Sequence, residues 1–415
     1  MNSNDDIQEL KRIIEQFNKY HSKTIPLCAA ENIISPFCKL PLNGDFQERY
    51  IMGSASNYNI NENFIGSQYL LPFYELINKK CKILFNANYI DSKTLSGMNC
   101  VSTLLMTLTD RGDKILLLSE DDGGHPSVIE ICKRLGLEIM FIPFDYTNYT
   151  IDYEKTNKLI QIEKPKYICF APSDIIFPCS VEKIDLNETI LLYDASQILG
   201  LIAGQIIPNP LDKSENVIIF GGTHKTLPGP THGLIMTNSK KIYNILENSI
   251  SPKYIRNTQM NQILSLLFTL TEFEEYGKSY MNSIVENANR LGKLLEDRSF
   301  HIAKINDKYT LTHQLFIKCS KDEMNTIYKN AIITGVTLNK KERKLFGGFG
   351  IRLGAQEITR YGWTDKDLEI IADILVLLKD NNLNLDLFNS HLKNISKKEI
   401  KYTYPQETYD FLHHK

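Results

Sequence analysis

The chain has 415 residues, 42% of them hydrophobic, and its formal net charge is 47 − 49 = −2. That is enough apolar material for two or three domains, or for one large domain with a smaller companion. The near-neutral, evenly scattered charge gives no reason to expect a nucleic-acid partner, and no apolar run approaches the roughly 20 residues that span a bilayer, so no membrane partner is expected.

The start, MNSNDDIQELKRIIEQF, is acidic and amphipathic and lacks the charged-then-apolar order of a secretory signal, so a cytoplasmic location is expected. Residues 5–20 predict a helix, and 21–65 an irregular arm rich in Asn, Ser and Gly. From about residue 66 short apolar runs with β-branched residues recur: KILLLS (114–119), EIMFIPF (138–144), KYICFA (166–171), TILLYD (189–194) and NVIIFGG (216–222). Helical or loop segments separate them, which predicts a parallel sheet covered on both faces. GLIMT (233–237) follows a turn too short for a helical crossover and should pair antiparallel. Residues 255–300 read as helical; YTLTHQLFIKC and GFGIRLG then read as strands and KDEMNTIYKNA as a helix. TDKDLEIIADILVLLKD follows as a helix with Thr364 as its N-cap. The expected division is an N-terminal helix and arm (1–65), a large domain (66–280), a smaller α+β domain (281–385) and a polar tail (386–415). Eight cysteines without a CxxC pair read as reduced, buried thiols, with neither a disulfide frame nor a metal site.

The chemistry gathers at strand ends, where open α/β sheets place their sites. Asp194 ends one strand, Ser173 lies just past another, and Lys225 follows a third inside FGGTHKTLPGPTHG. Gly and Pro on both sides put Lys225 on a turn, either as a solvated loop cation or as a positioned nucleophile able to bond a carbonyl cofactor. Pyridoxal phosphate would need four more things: an acid for its pyridine nitrogen, a helix N-terminus for its phosphate, a flat group to stack on, and an arginine for the substrate carboxylate. Asp194, the LSGMNC turn (95–100), His125 in GGHPS and Arg352 in GFGIRLG offer one of each. Taken singly they could be a strand-end cap, an ordinary N-cap, a structural histidine and a surface ion pair.

In order and wording these segments resemble the serine hydroxymethyltransferase family. THKTLPGPTHG resembles its lysine motif, CAAENIISP its N-terminal substrate loop, LSGMNC its phosphate loop, GGHPS its stacking histidine, and IRLGAQEITRYGW its carboxylate-arginine segment, over roughly residues 22–380. The resemblance implies an α/β, fold-type I pyridoxal phosphate-dependent transferase. Its large domain would carry a seven-stranded, mostly parallel sheet, and a smaller α+β domain would follow. It also implies a homodimer with sites built across the interface. By resemblance Lys225 would carry the cofactor, with Thr223 and His224 beside it; Asp194 would pair with the pyridine nitrogen and His125 would stack on the ring. Ser96, Gly97 and Met98 would face the phosphate, Ser173 the phenolate oxygen, and Gln197 would lie close to the ring. Arg352, Ala30 and Glu31 would meet the amino acid, and Tyr50 would join the catalytic set. No metal is implied.

The chain also departs from the family. The glutamate two residues after a tyrosine, on which folate chemistry depends, is Met52 here, following Tyr50. A thioether cannot shuttle protons. Glu62, in the long loop SASNYNINENFIGSQ, is the candidate to replace it. Ala30 stands where a serine is expected, Gln197 where a histidine is, and Arg256-Asn257-Thr258 where the partner's Gly-Gly-Pro phosphate segment is. The expectation is an enzyme that makes or breaks the Cα–Cβ bond of a β-hydroxy amino acid through a glycyl quinonoid without folate. Its substrates would be threonine, serine or glycine with an aldehyde, as in threonine aldolases and transaldolases. The alternatives are folate-dependent serine hydroxymethyltransferase, a transaminase, and a non-catalytic binding relative.

Overall fold

The computed structural model describes residues 3–51 and 64–410; the segment 52–63, with Met52 and Glu62, lies outside the described residues. A seven-stranded sheet forms the larger layer. Its order is Tyr89–Asp91, Gly233–Thr237, Val217–Gly222, Ile190–Asp194, Tyr167–Phe170, Lys114–Leu117, Glu138–Phe141. Gly233–Thr237 pairs antiparallel with both neighbours, and the other pairings are parallel.

Successive strand residues point to opposite faces, and here both faces are apolar. Ile168 and Phe170, Leu191 and Tyr193, and Val217 and Ile219 enter one core. Tyr167 and Cys169, Leu192, and Ile218 and Phe220 enter the other. That two-sided burial is why these strands read as unbroken apolar runs. Helix Met260–Asp297 packs on the first face, and helix Gly97–Leu108 on the second.

A four-stranded antiparallel sheet forms the smaller layer, in the order His301–Ile302, Gln314–Lys318, Gly350–Gly354, Asn339–Lys341. Helix Met260–Asp297 is 38 residues long and serves both layers: Ile263 and Leu267 sit in the large core, Leu291 and Leu295 in the small one. The arm joins the small layer, where Ile25–Pro26 pairs parallel with Val336–Thr337. Helix Asp365–Leu377 begins at Thr364 with a reciprocal capping box to Asp367.

Residues 386–410 carried little sequence signal, yet they are tied down. Arg360 donates to the Tyr402 carbonyl at 2.7 Å and pairs with Glu272 in the interior. The other Glu272 oxygen accepts from Ser35 of the arm and Thr403 of the tail. All eight cysteines are free thiols, seven of them buried. Among the described residues no helix is long and apolar enough to cross a membrane.

Candidate active site

Asp194 and Lys225 meet at the carboxyl ends of adjacent parallel strands. Asp194 pairs in register with Phe220, and the chain leaves the sheet two residues later to turn through Lys225. The turn is closed by the Gly229 amide donating to the Thr223 carbonyl at 2.9 Å and by the Thr223 hydroxyl donating to the Pro230 carbonyl at 2.6 Å. This fixes the direction of Lys225, and it also commits the Thr223 hydroxyl to the loop. Lys225 Nζ has no hydrogen bond or ion pair among the described residues.

Burial sets the electrostatics. It holds the Lys225 amine below the usual lysine range, and Asp194 opposes the shift. It pushes the Asp194 carboxyl up, against the Ser196 amide, Lys225 and His125. Each group is therefore held nearer neutrality than in water, and each is the other's attractive partner. One Asp194 oxygen accepts from the Ser196 amide at 2.8 Å.

His125 caps helix Pro126–Leu135, its Nδ1 accepting from the Ser127 amide at 3.3 Å. Burial, with Lys225, Arg343 and Lys341 adding to it, lowers its pKa against the pull of Asp194. The ring is thus neutral near pH 7, and the cap bond leaves the proton on Nε2. The preceding glycine is required by space, since a Cβ on Gly124 would lie 2.2 Å from the Leu118 carbonyl oxygen.

Ser96 caps helix Gly97–Leu108 through the Asn99 amide, which leaves the Gly97 and Met98 amides without an acceptor among the described residues. A Cβ on Gly97 would come within 2.7 Å of the Ser196 hydroxyl and 2.9 Å of the Gly222 amide. Backbone donors therefore face the strand end that carries Lys225. The Met98 side chain packs into the apolar core beneath. His224 is held neutral by burial, its pKa down to about 4, and its Nδ1 has no partner.

The small layer completes the far side. Arg352 donates from Nε and Nη2 to Asn339 Oδ1, and from Nη1 to the Ser173 carbonyl at 2.7 Å and to Asp174 at 2.9 Å. Four of its five N–H donors are engaged, leaving one Nη2–H. Gln197 accepts at 3.0 Å from Gln314, which also donates to the Ser173 carbonyl and accepts from the Ile175 amide. The arm reaches in as well: Asn32 donates to the Lys225 carbonyl at 2.6 Å and to the Tyr280 hydroxyl at 3.0 Å. Gln356 holds the Cys28 and Glu31 carbonyls, which brings Ala30 in half-buried and leaves the Glu31 side chain exposed.

The structure thus gathers Lys225, Asp194, His125, His224, Ser173, Gln197, Arg352 and the Ser96–Met98 turn. Tyr50 makes no hydrogen bond to these residues among those described. Its ring stacks on Phe64 at 5.1 Å, and it lines an open pocket of about 860 Å³ with Leu95, which precedes Ser96, and with Arg256 and Asn257. Glu62 lies outside the described residues. Asn32, Asp174, Ser196, Gln314 and Asn339 were not found from sequence. Three of them had a local signal: Asn32 follows Glu31, Asp174 follows Ser173, and Ser196 precedes Gln197. No group of three or more His, Cys, Asp or Glu among the described residues is placed to hold a metal ion.

Pyridoxal phosphate fits this arrangement. An unpartnered amine, a buried carboxylate with one oxygen committed, a neutral imidazole and two orphan amides at a helix start converge where one more side-chain carbon at Gly97 would intrude.

Comparison with known proteins agrees. The serine hydroxymethyltransferase family model matches residues 3–375. A serine hydroxymethyltransferase of Picrophilus torridus is 32% identical over 384 residues, covering 89% of this chain and 88% of the relative. One from Sulfolobus acidocaldarius is 28% identical over 421 residues, covering 96% and 95%. Among solved structures, an L-threonine transaldolase from Pseudomonas fluorescens in its internal aldimine state superposes with a TM-score of 0.91 at 21% identity, covering 99% of this chain and 97% of that one. That match shows the fold.

Proposed function

This chain belongs to the serine hydroxymethyltransferase family of pyridoxal phosphate-dependent enzymes, and we propose that within it the protein is a folate-independent threonine transaldolase or aldolase, acting on a small β-hydroxy amino acid and an aldehyde. The observation that carries the reading is the replacement of the family's folate-linked glutamate by Met52, beside an intact Lys225–Asp194–His125 set. A homodimer in the cytoplasm is part of the proposal. The dimer is supported by the exposed apolar face of helix Ser3–Lys23, where Ile7, Leu10, Ile14 and Phe17 are each about 60% exposed.

Pyridoxal phosphate, when bound, supplies the electron sink that stabilises negative charge at the substrate Cα. The chain's own groups do the rest. Lys225 would be the covalent anchor, because burial weakens its amine's hold on a proton and no described residue pairs with it. Asp194 would meet the pyridine nitrogen from beneath, and the Gly97 and Met98 amides would receive the phosphate. Arg352 offers its open Nη2–H to the substrate carboxylate and exchanges the Asn339 oxygen for it. In cleavage the His125 proton first moves to Nδ1, which gives up its Ser127 bond, so that the bare Nε2 receives the β-hydroxyl proton; the imidazolium so formed returns that proton to the oxygen of the incoming aldehyde.

The test is a pair of assays on the holoenzyme. Threonine should release acetaldehyde without tetrahydrofolate, and serine should transfer little formaldehyde to it. Robust folate-dependent turnover of serine that is lost in Glu62→Gln would restore the folate-dependent reading carried by the relatives' names.

A further inference from the structure

Beside Arg352 the site holds more positive charge than any described group nearby balances. The Asp174 carboxylate accepts Lys341 Nζ at 2.9 Å and Arg352 Nη1 at 2.9 Å on one oxygen, and Arg343 Nη1 at 2.5 Å on the other. Three cations share one carboxylate. The side chains are 14%, 5% and 11% exposed, and that of Asp174 is fully buried, so water does little to screen the excess. The other acids close by do not correct it. Glu120 approaches Arg343 at 3.6 Å from an exposed position. Asp121 accepts the Lys344 amide, and Asp122 takes the hydroxyls of Ser119 and Tyr146. Burial beside these cations pulls Lys341 down to about 8.

The excess faces the reaction. Arg343 also donates to the carbonyl of Gly124, the residue before His125, at 3.4 Å. Arg352 and Asp174 are close enough to Lys225 to bear on its amine. Asp174 offsets one of the three charges and a substrate carboxylate on Arg352 a second, which leaves one buried positive charge on the Lys341–Arg343 pair, with only the exposed Glu120 near it.

We propose that Lys341 and Arg343 form a second anion subsite beside Arg352, and that the aldehyde accepted by this enzyme carries a carboxylate or a phosphate. The inference rests on the transaldolase reading. In that reaction threonine and the aldehyde exchange one Cα–Cβ bond for another. Acetaldehyde leaves with the old β-carbon, the aldehyde carbon bonds to Cα, and its oxygen takes up the proton that the threonine hydroxyl gave. The product is then a β-hydroxy amino acid with a second acidic group.

Two measurements on the holoenzyme test this. With threonine as donor, kcat/KM for succinic semialdehyde should exceed that for butanal by about tenfold or more, and glycolaldehyde phosphate separates phosphate from carboxylate. Lys341→Gln and Arg343→Gln should each erase most of that preference through KM. Equal use of the charged and neutral aldehydes would overturn the proposal. So would a loss in the variants that is the same for both aldehydes and tracks a lowered unfolding midpoint, because the cations would then only tie the two layers together. The second measurement needs no turnover: calorimetry with glycine present should show succinate binding at least about tenfold tighter than butyrate, and the difference should vanish in Lys341→Gln. If threonine releases no acetaldehyde, the transaldolase reading fails while this comparison still decides the anion subsite; equal binding of the two acids removes it.

Discussion

Asn32 of the N-terminal arm donates its side-chain amide to the main-chain carbonyl of Lys225 at 2.6 Å, across 193 residues of sequence. The lysine turn is therefore held from outside the large sheet. Its second bond, to the Tyr280 hydroxyl, ties the same amide to helix Met260–Asp297. Asn32→Ala leaves a partly buried carbonyl without its donor, which should cost about 1–3 kcal/mol of stability and lower kcat. Asn32→Asp, of the same size, should do worse, because it sets a carboxylate against a carbonyl. Denaturant unfolding and steady-state kinetics on both variants check this, and parent-like behaviour in the two would dismiss the clasp.

Lys225 should be the residue that carries the cofactor. Borohydride treatment of the holoenzyme followed by peptide mapping should put the pyridoxyl group on the peptide containing Lys225. In Lys225→Gln no residue should be labelled, although the Gly97 and Met98 amides would still retain some pyridoxal phosphate. A label at another lysine sinks the assignment.

Arg352→Lys replaces a fork that is braced by Asn339, Ser173 and Asp174 with a point charge. Affinity for glycine should fall by roughly 1.5–3 kcal/mol, about tenfold to a hundredfold, with cofactor affinity little changed. Spectral titration with glycine reads this directly. Equal affinity in variant and parent would assign the carboxylate to another group.

Histidine burial predicts an acid-side loss of stability. His232 and His313 are fully buried, with folded pKa values pushed down to about 4 and about 3 by desolvation, against a usual 6.5. Below 6.5 the unfolded chain binds protons that the folded chain refuses, so the stabilisation is complete above that pH and drains as pH falls towards the folded values. Each ring contributes a slope of up to ~1.4 kcal/mol per pH unit. Glu357, pushed up to about 7 by burial, slopes the other way between 4.5 and 7. The measurement is therefore a comparison: urea unfolding of the parent and of His232→Gln from about pH 7.5 to about pH 5 should show a shallower acid loss in the variant. Parallel curves would mean that His232 is protonated or released without cost.

The sheet was legible because burial on both faces leaves no polar alternation to obscure its strands, and Lys225, Asp194 and Ser173 were legible because they follow such runs directly. Tyr89–Asp91 was not, since three residues at a sheet edge leave too short a pattern. Gln314 and Asn339 were hidden for a different reason. Gln314 lies 117 residues from Gln197, and only packing of the small layer against the large one makes them partners. Lys341 and Arg343 stand in the charged run KKERK (340–344), but a charge run by itself reads as a solvated turn, and only the fold brings it against Arg352 and the buried Asp174. The tail was under-read because its anchors, Tyr402 and Thr403, are set by Arg360 and Glu272 and not by its own periodicity.

Glu272 also has a consequence for the order in which the molecule can be completed. Its carboxylate, on the long helix, is satisfied by Ser35 from before it, Arg360 from well after it, and Thr403, 131 residues beyond Glu272. A nascent chain that has passed helix Met260–Asp297 already holds this acid and one of its partners, but not the cation that neutralises it. Until Arg360 has been made, the helix must keep Glu272 hydrated or protonated, and until Thr403 follows the second carboxylate oxygen lacks one of its donors. Closure of this region is thus timed by synthesis, and chains stalled between 297 and 403 should expose the Glu272 side of the helix to proteases that cannot reach it in the finished protein.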